Sequence, residues 1–170
     1  MTQAAGAKLR LFAFGLDYLL ILCYIALLFG LSFLLPYPRD AAPEQAQLLG
    51  FLSLTLPVVL YFALSEAFAG ATLGKRWVSL KVATISDEPL GLARSLMRSG
   101  IKFLPWDLSH TALYRIVQPE PSLFWFSLSY LALAVAGLYL LGLLRPPHRP
   151  LYDRLSGTTV YCLTASEETL

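Results

Sequence analysis

LFAFGLDYLLILCYIALLFGLSFLL, residues 11–35, holds about 25 residues and a single charge, Asp17. At about 1.5 Å per residue, a helix of this length crosses a hydrocarbon layer of ~30 Å. A carboxylate at the centre of such a helix costs about 2.5–3.5 kcal/mol. Asp17 lies nearer one end, where the cost is lower, and it still needs a partner. Arg10 precedes it by about two turns and therefore shares its helix face. Lys8 and Arg10 resemble the basic start of a signal peptide. The apolar run that follows exceeds the ~7–15 residues of such a segment, so it reads as an uncleaved first helix.

Two more runs have the same character. Residues 48–68, LLGFLSLTLPVVLYFALSEAF, span with Pro57 near the middle, where a kink is expected rather than a break. Residues 123–144, LFWFSLSYLALAVAGLYLLGLL, carry no charge. Phe124, Trp125, Phe126 and Tyr130 mark the start of an aromatic belt at one interface. The polar, proline-rich stretch 36–47 reads as a short exposed connection. Residues 90–118 are ambiguous: Arg94, Arg98 and Lys102 recur every fourth residue as a basic stripe suited to anionic lipid headgroups, and Pro105 follows.

Composition agrees. Charged residues make up 14% of the chain, against about 25% in soluble domains. A net charge of +2, spread over helix ends, gives no footprint for nucleic acid. Basic residues flank the first helix (Lys8, Arg10), follow the second (Lys75, Arg76, Lys81) and follow the last (Arg145, Arg149, Arg154), whereas the first loop has Arg39 beside Asp40 and Glu44. The positive-inside rule places both termini in the cytoplasm, at the inner (plasma) membrane. Parity then requires an even number of crossings, so 90–118 is expected to cross as a helix kinked at Pro105.

Residues 77–85 (WVSLKVATI) and 158–164 (TTVYCLT) read as strands. They are expected to pair as a cytoplasmic ribbon resting on the bundle, because two strands alone are marginal. The expected fold is one all-α, multi-pass membrane domain over 1–170, with helices at about 9–35, 47–69, 90–118 and 122–144 and a small two-stranded β-ribbon. Cys23 and Cys162 show no metal-ligand spacing and are expected at different depths, against a disulfide.

Taken together, Arg10 at the start of the first helix, Asp17 within it and Asp153 near the end resemble the RDD family of integral membrane proteins. GATLGKRWVSLKV (70–82) is similar to that family's G-x-T-x-G-K-R segment. LYDRLSGTTV (151–160) is similar to its H-D-x-x-A-G-T ending, with Tyr152 in place of the histidine and Ser156 in place of the alanine. The resemblance implies the membrane fold. For function it implies transport of loosely defined ligands, with monovalent cation/proton antiport suggested for some members.

The candidate sites follow from charge in a low dielectric. Asp17 and Glu66, at comparable depth on antiparallel helices, could share a proton or a small cation; the alternative is neutralisation by Arg10, Lys75 or Arg76 in a structural network. In TLGKR (72–76), Thr72 is a helix N-cap, and Lys75 with Arg76 either binds lipid phosphate or pairs with Asp153. Asp107 and His110 share one helix face and could relay a proton or jointly hold a divalent metal, although two ligands do not make a site; the alternative is a capping carboxylate with a local hydrogen bond. No catalytic signature, cofactor motif or metal-ligand set appears. The expected function is a monovalent cation/proton exchanger, working as a homo-oligomer through the small residues Ala132, Ala134, Ala136 and Gly137. The alternative is a non-transporting membrane module that binds anionic lipid or a membrane-protein partner.

Overall fold

A computed structural model describes residues 4–34 and 42–163. Much of the connection expected at 36–47, together with Leu35, Arg39 and Thr164, lies outside these residues. Helix α1 is Ala7–Leu34. Its buried residues Arg10, Ala13, Asp17 and Ile21 are three or four apart, so one stripe faces inward and the remainder faces the membrane.

The second run begins earlier than its hydropathy suggests. Pro43 occupies the first turn of α2 (Pro43–Gly50), where its missing N–H costs nothing. A π-helical turn at Phe51–Thr55 leads into α3 (Leu56–Ala69). This wide turn absorbs Pro57, which leaves the carbonyl of Ser53 without its helical donor. The Tyr24 hydroxyl of α1 donates to that carbonyl at 2.6 Å. The same device recurs in α5 (Leu92–Ile116), which runs unbroken through Pro105. There the freed carbonyl of Ile101 accepts from the Tyr139 hydroxyl at 2.7 Å. Tyr139 lies on α6 (Leu123–Leu144). Each proline is thus tolerated because a neighbouring helix supplies a donor in a place without water.

Among the described residues, three helices are long and apolar enough to cross a membrane: Ala7–Leu34, Pro43–Ala69 and Leu123–Leu144. The charged α5 lies between two of them, packed against α3 and α6. Short helices α4 (Leu73–Trp77) and α7 (Leu151–Leu155) close one end. Strands β1 (Leu80–Thr84) and β2 (Thr158–Cys162) pair antiparallel there, with Leu80 opposite Cys162 and Thr84 opposite Thr158. The ribbon expected from the sequence is therefore present, but Trp77 belongs to α4 rather than to the first strand. The Thr72 hydroxyl caps α4 by accepting from the Lys75 N–H, and Ser79, with φ 52°, turns the chain into β1. Leu80, Val82 and Val160 pack on Ala5, Ala13 and Leu90, which fixes the ribbon to the end of the bundle. Cys23, on α1, and Cys162, on β2, are both free.

Candidate functional site

Three carboxylates on three different elements are buried at the ribbon end: Asp17 on α1, Glu66 on α3 and Asp153 on α7, each at most 1% exposed. Burying an ionised carboxylate demands charged or well-aligned partners. Arg98 of α5, 1% exposed, supplies most of them. Its Nη1 pairs with Glu66 Oε2, and its Nη2 lies 2.8 Å from Asp153 Oδ1. Its Nε donates to the same oxygen at 2.9 Å. The planar guanidinium suits this role, because its fixed fork serves two acceptors at once. Lys75 Nζ closes the far side of Glu66 at 2.8 Å from Oε1. Arg10 closes the far side of Asp153 and also donates to the carbonyl of His148. The Thr158 hydroxyl, at the start of β2, lies 3.4 Å from Asp153 Oδ1. One ionic chain therefore ties α1, α3, α4, α5 and α7 together.

Asp17 is held differently. It accepts from the Thr72 hydroxyl at 2.6 Å, the Gly74 N–H at 2.8 Å and the Tyr61 hydroxyl at 2.8 Å. Tyr61 in turn accepts from the Leu73 N–H at 3.1 Å. The carboxylate of α1 thus docks onto the first turn of α4, where exposed N–H groups and the helix dipole favour negative charge. Gly74 is required by this docking: a Cβ there would strike the carbonyl oxygen of Ala13 and sit 2.9 Å from the Asp17 Cγ.

Several sequence expectations change accordingly. Asp17 and Glu66 are both buried, yet they do not share a site: Thr72 and Lys75 stand between them, with Lys75 Nζ 3.4 Å from the Thr72 hydroxyl. Arg10 and Asp17 share a face as expected, but two turns of separation leaves each with its own partners. Lys75 pairs with Glu66, not with Asp153, and Arg76 is exposed. The stripe Arg94, Arg98 and Lys102 is not one surface: Arg94 is exposed, Arg98 is the centre of the ionic chain, and Lys102 lines a cavity. His110 Nδ1 bonds the Trp106 carbonyl at 2.9 Å and its ring lies on Trp106, while among the described residues no hydrogen bond joins it to Asp107. On α6 the small residues divide between faces, with Ala132 buried and Ala134 and Gly137 exposed. Tyr61 carried no signal in the sequence, since its role depends on a partner 44 residues away, and Thr158 stood in the family-like ending with no role of its own assigned.

The cavity measures about 570 Å³ and lies among α1, α5, α6 and α7. Arg10, Lys75, Arg98 and Lys102 line its charged end, and Phe103, Trp106, Leu140 and Leu143 are among its apolar walls. Lys102 Nζ stands 3.6 Å from the centroid of the Phe62 ring, 4.9 Å from that of Phe14 and 5.1 Å from that of Phe103. None of the ion pairs among the described residues includes it. Tyr152 also borders the cavity, with its ring 5.3 Å from the Arg98 guanidinium carbon. Burial pushes its phenol up to about 12, with the Asp153 charge adding to the effect, so at neutral pH it is an uncharged ring and donor.

Compared with known proteins, the chain matches the family model described as RDD family over residues 4–157. No curated protein and no solved structure matches it.

Proposed function

Because the chain belongs to the RDD family, we propose that it is a membrane-embedded module that binds an anionic ligand in the cavity headed by Lys102. The carrying observation is a charge imbalance. Among the described residues Arg10, Lys75, Arg98 and Lys102 stand against Asp17, Glu66 and Asp153, four basic groups to three carboxylates, and Lys102 is the basic group that forms no ion pair. The surplus falls on Lys102, whose neighbours are aromatic rings. Ring faces stabilise an ammonium by ~1–2 kcal/mol but give it no oxygen acceptor, while burial and the nearby Lys75 and Arg98 disfavour its charge, so an anion beside it would relieve both. An ammonium so placed offers three donors toward an open volume. In this reading the ribbon end lies at the cytoplasmic face of the inner membrane, as the distribution of basic residues favours, and the role is binding or transport rather than catalysis.

The expected result is stabilisation by anions. A short-chain alkyl phosphate, added to full-length protein in neutral detergent, should raise the unfolding midpoint, since ligand at about 100 times Kd adds roughly 2.7 kcal/mol. Lys102→Gln should lose most of that rise and unfold normally without ligand. Equal stabilisation of both proteins would remove Lys102 from the site.

Exchange of a monovalent cation for a proton is a second reading, and one observation favours it. Among the described residues, Asp17 is the buried carboxylate whose hydrogen-bond partners are all neutral. It is therefore the group that could exchange a proton for a cation without first breaking an ion pair. Proteoliposomes of wild type and folded Asp17→Asn protein should then differ in sodium-, potassium- or lithium-driven proton flux. Absence of flux in correctly inserted wild type ends that reading for these ions.

A further inference from the structure

We infer that the ligand of this cavity is an anionic phospholipid, with its phosphate beside Lys102 and an acyl chain along α5 and α6. The inference rests on the anion-binding reading and narrows it to a substrate class. The head of the cavity gives the charge. Among the described residues Lys102 is the basic group there that forms no ion pair, while Arg10, Lys75 and Arg98 are engaged with carboxylates. Phosphate oxygens supply acceptors that ring faces cannot. A choline headgroup would bring a further cation against four others, which disfavours zwitterionic lipid.

The walls give the chain. Beyond Lys102 the walls include Phe103, Trp106, Leu133, Ala136, Leu140 and Leu143, with Ser109 and His110 as polar members on α5. A volume of about 570 Å³ is in the range of small-ligand cavities, ~300–1,000 Å³, so it takes a headgroup and the first part of a chain. A water-soluble anion would be stripped of hydration against these surfaces and gain nothing from them. An acyl chain gains contact with all of them.

The route gives the source. The cavity is lined from α1 by Leu11 and from α6 by Leu133 and Leu140, and these side chains also reach the outer surface (41%, 69% and 48% exposed), so it opens sideways between the two helices. In a bilayer that opening faces acyl chains, and a ligand already dissolved in the membrane reaches Lys102 without crossing water.

Native mass spectrometry of the full chain in neutral detergent, exposed to equal amounts of phosphatidylglycerol and phosphatidylcholine, tests this. Wild type should retain the anionic lipid about tenfold better, the effect of one charge-assisted contact. Lys102→Arg should keep the preference, Lys102→Gln should bring it close to parity, and Ala136→Trp, which fills the cavity, should retain neither lipid. Glycerol phosphate, the headgroup without chains, separates the two claims. If it stabilises wild type as well as the lipid does and Ala136→Trp still retains lipid, the phospholipid inference falls while the anion site stands. If neither probe binds in a manner that depends on Lys102, both fall.

Discussion

Replacing Arg98 with methionine is expected to cost roughly 3–5 kcal/mol of stability, the largest loss of any single substitution in this chain. The side chain serves Glu66 on α3 and Asp153 on α7 at once, and both carboxylates are fully buried. Its removal leaves each with one cation, Lys75 or Arg10, and with an emptied lobe where the guanidinium stood. Water cannot enter cheaply to solvate what remains, so the full penalty of an underpaired buried charge is felt. Arg98→Lys keeps the charge but cannot reach both acceptors, so about half of the loss is expected. Unfolding in detergent followed by tryptophan fluorescence measures both. A cost under about 1 kcal/mol for Arg98→Met would mean that the ionic chain does not organise the bundle.

Gly74→Ala is expected to cost about 3 kcal/mol, and to act through geometry instead of charge. The added methyl would meet backbone at Ala13 and the carboxyl carbon of Asp17. Neither is the free end of a flexible side chain, so α4 must move away from α1. That movement breaks the bonds from the Thr72 hydroxyl and the Gly74 N–H to Asp17 together. Amide exchange should show the effect at its source, with protection lost at Leu73 and Gly74 before the middle of α1 is affected. Unchanged protection there would place the conformational demand of the TLGKR segment elsewhere.

These two residues also mark what the sequence could and could not disclose. Period and length were enough for the apolar helices, and β-branching after Gly157 was enough for β2, because those signals are local. The triplet Arg10, Asp17 and Asp153, with TLGKR, was visible as a set of unusual charges in an apolar chain. Which charge meets which was not visible. Arg98 sits on an evenly spaced basic stripe that reads as a surface, yet its acceptors come from 32 and 55 residues away. Spacing along one helix places a residue on a face and says nothing of what another helix brings to it. Depth alone left two readings of Asp17 and Glu66, a shared ion site or neutralisation by nearby cations. In the structure Glu66 pairs with Lys75 and Arg98, Asp17 is held by neutral donors, and α4 sets Thr72 and Lys75 between the two carboxylates. The early start of α2 went unnoticed for a simpler reason: Pro43 resembles a loop residue unless the helix behind it is already known.

Lys102 carries the central functional claim, as the surplus cation that an anionic ligand reads. The chain has four lysines, at positions 8, 75, 81 and 102, so nitrogen-15 lysine labelling gives a spectrum that Lys102→Arg assigns by loss of one signal. Titration of the labelled, full-length protein with a short-chain alkyl phosphate is the direct measurement. The Lys102 ammonium signal should shift and saturate, with Lys8 and Lys81 unmoved. A Lys102 signal that stays still through saturating ligand, or four lysines that drift together as a general salt effect, would contradict the assignment of an anion site to this cavity.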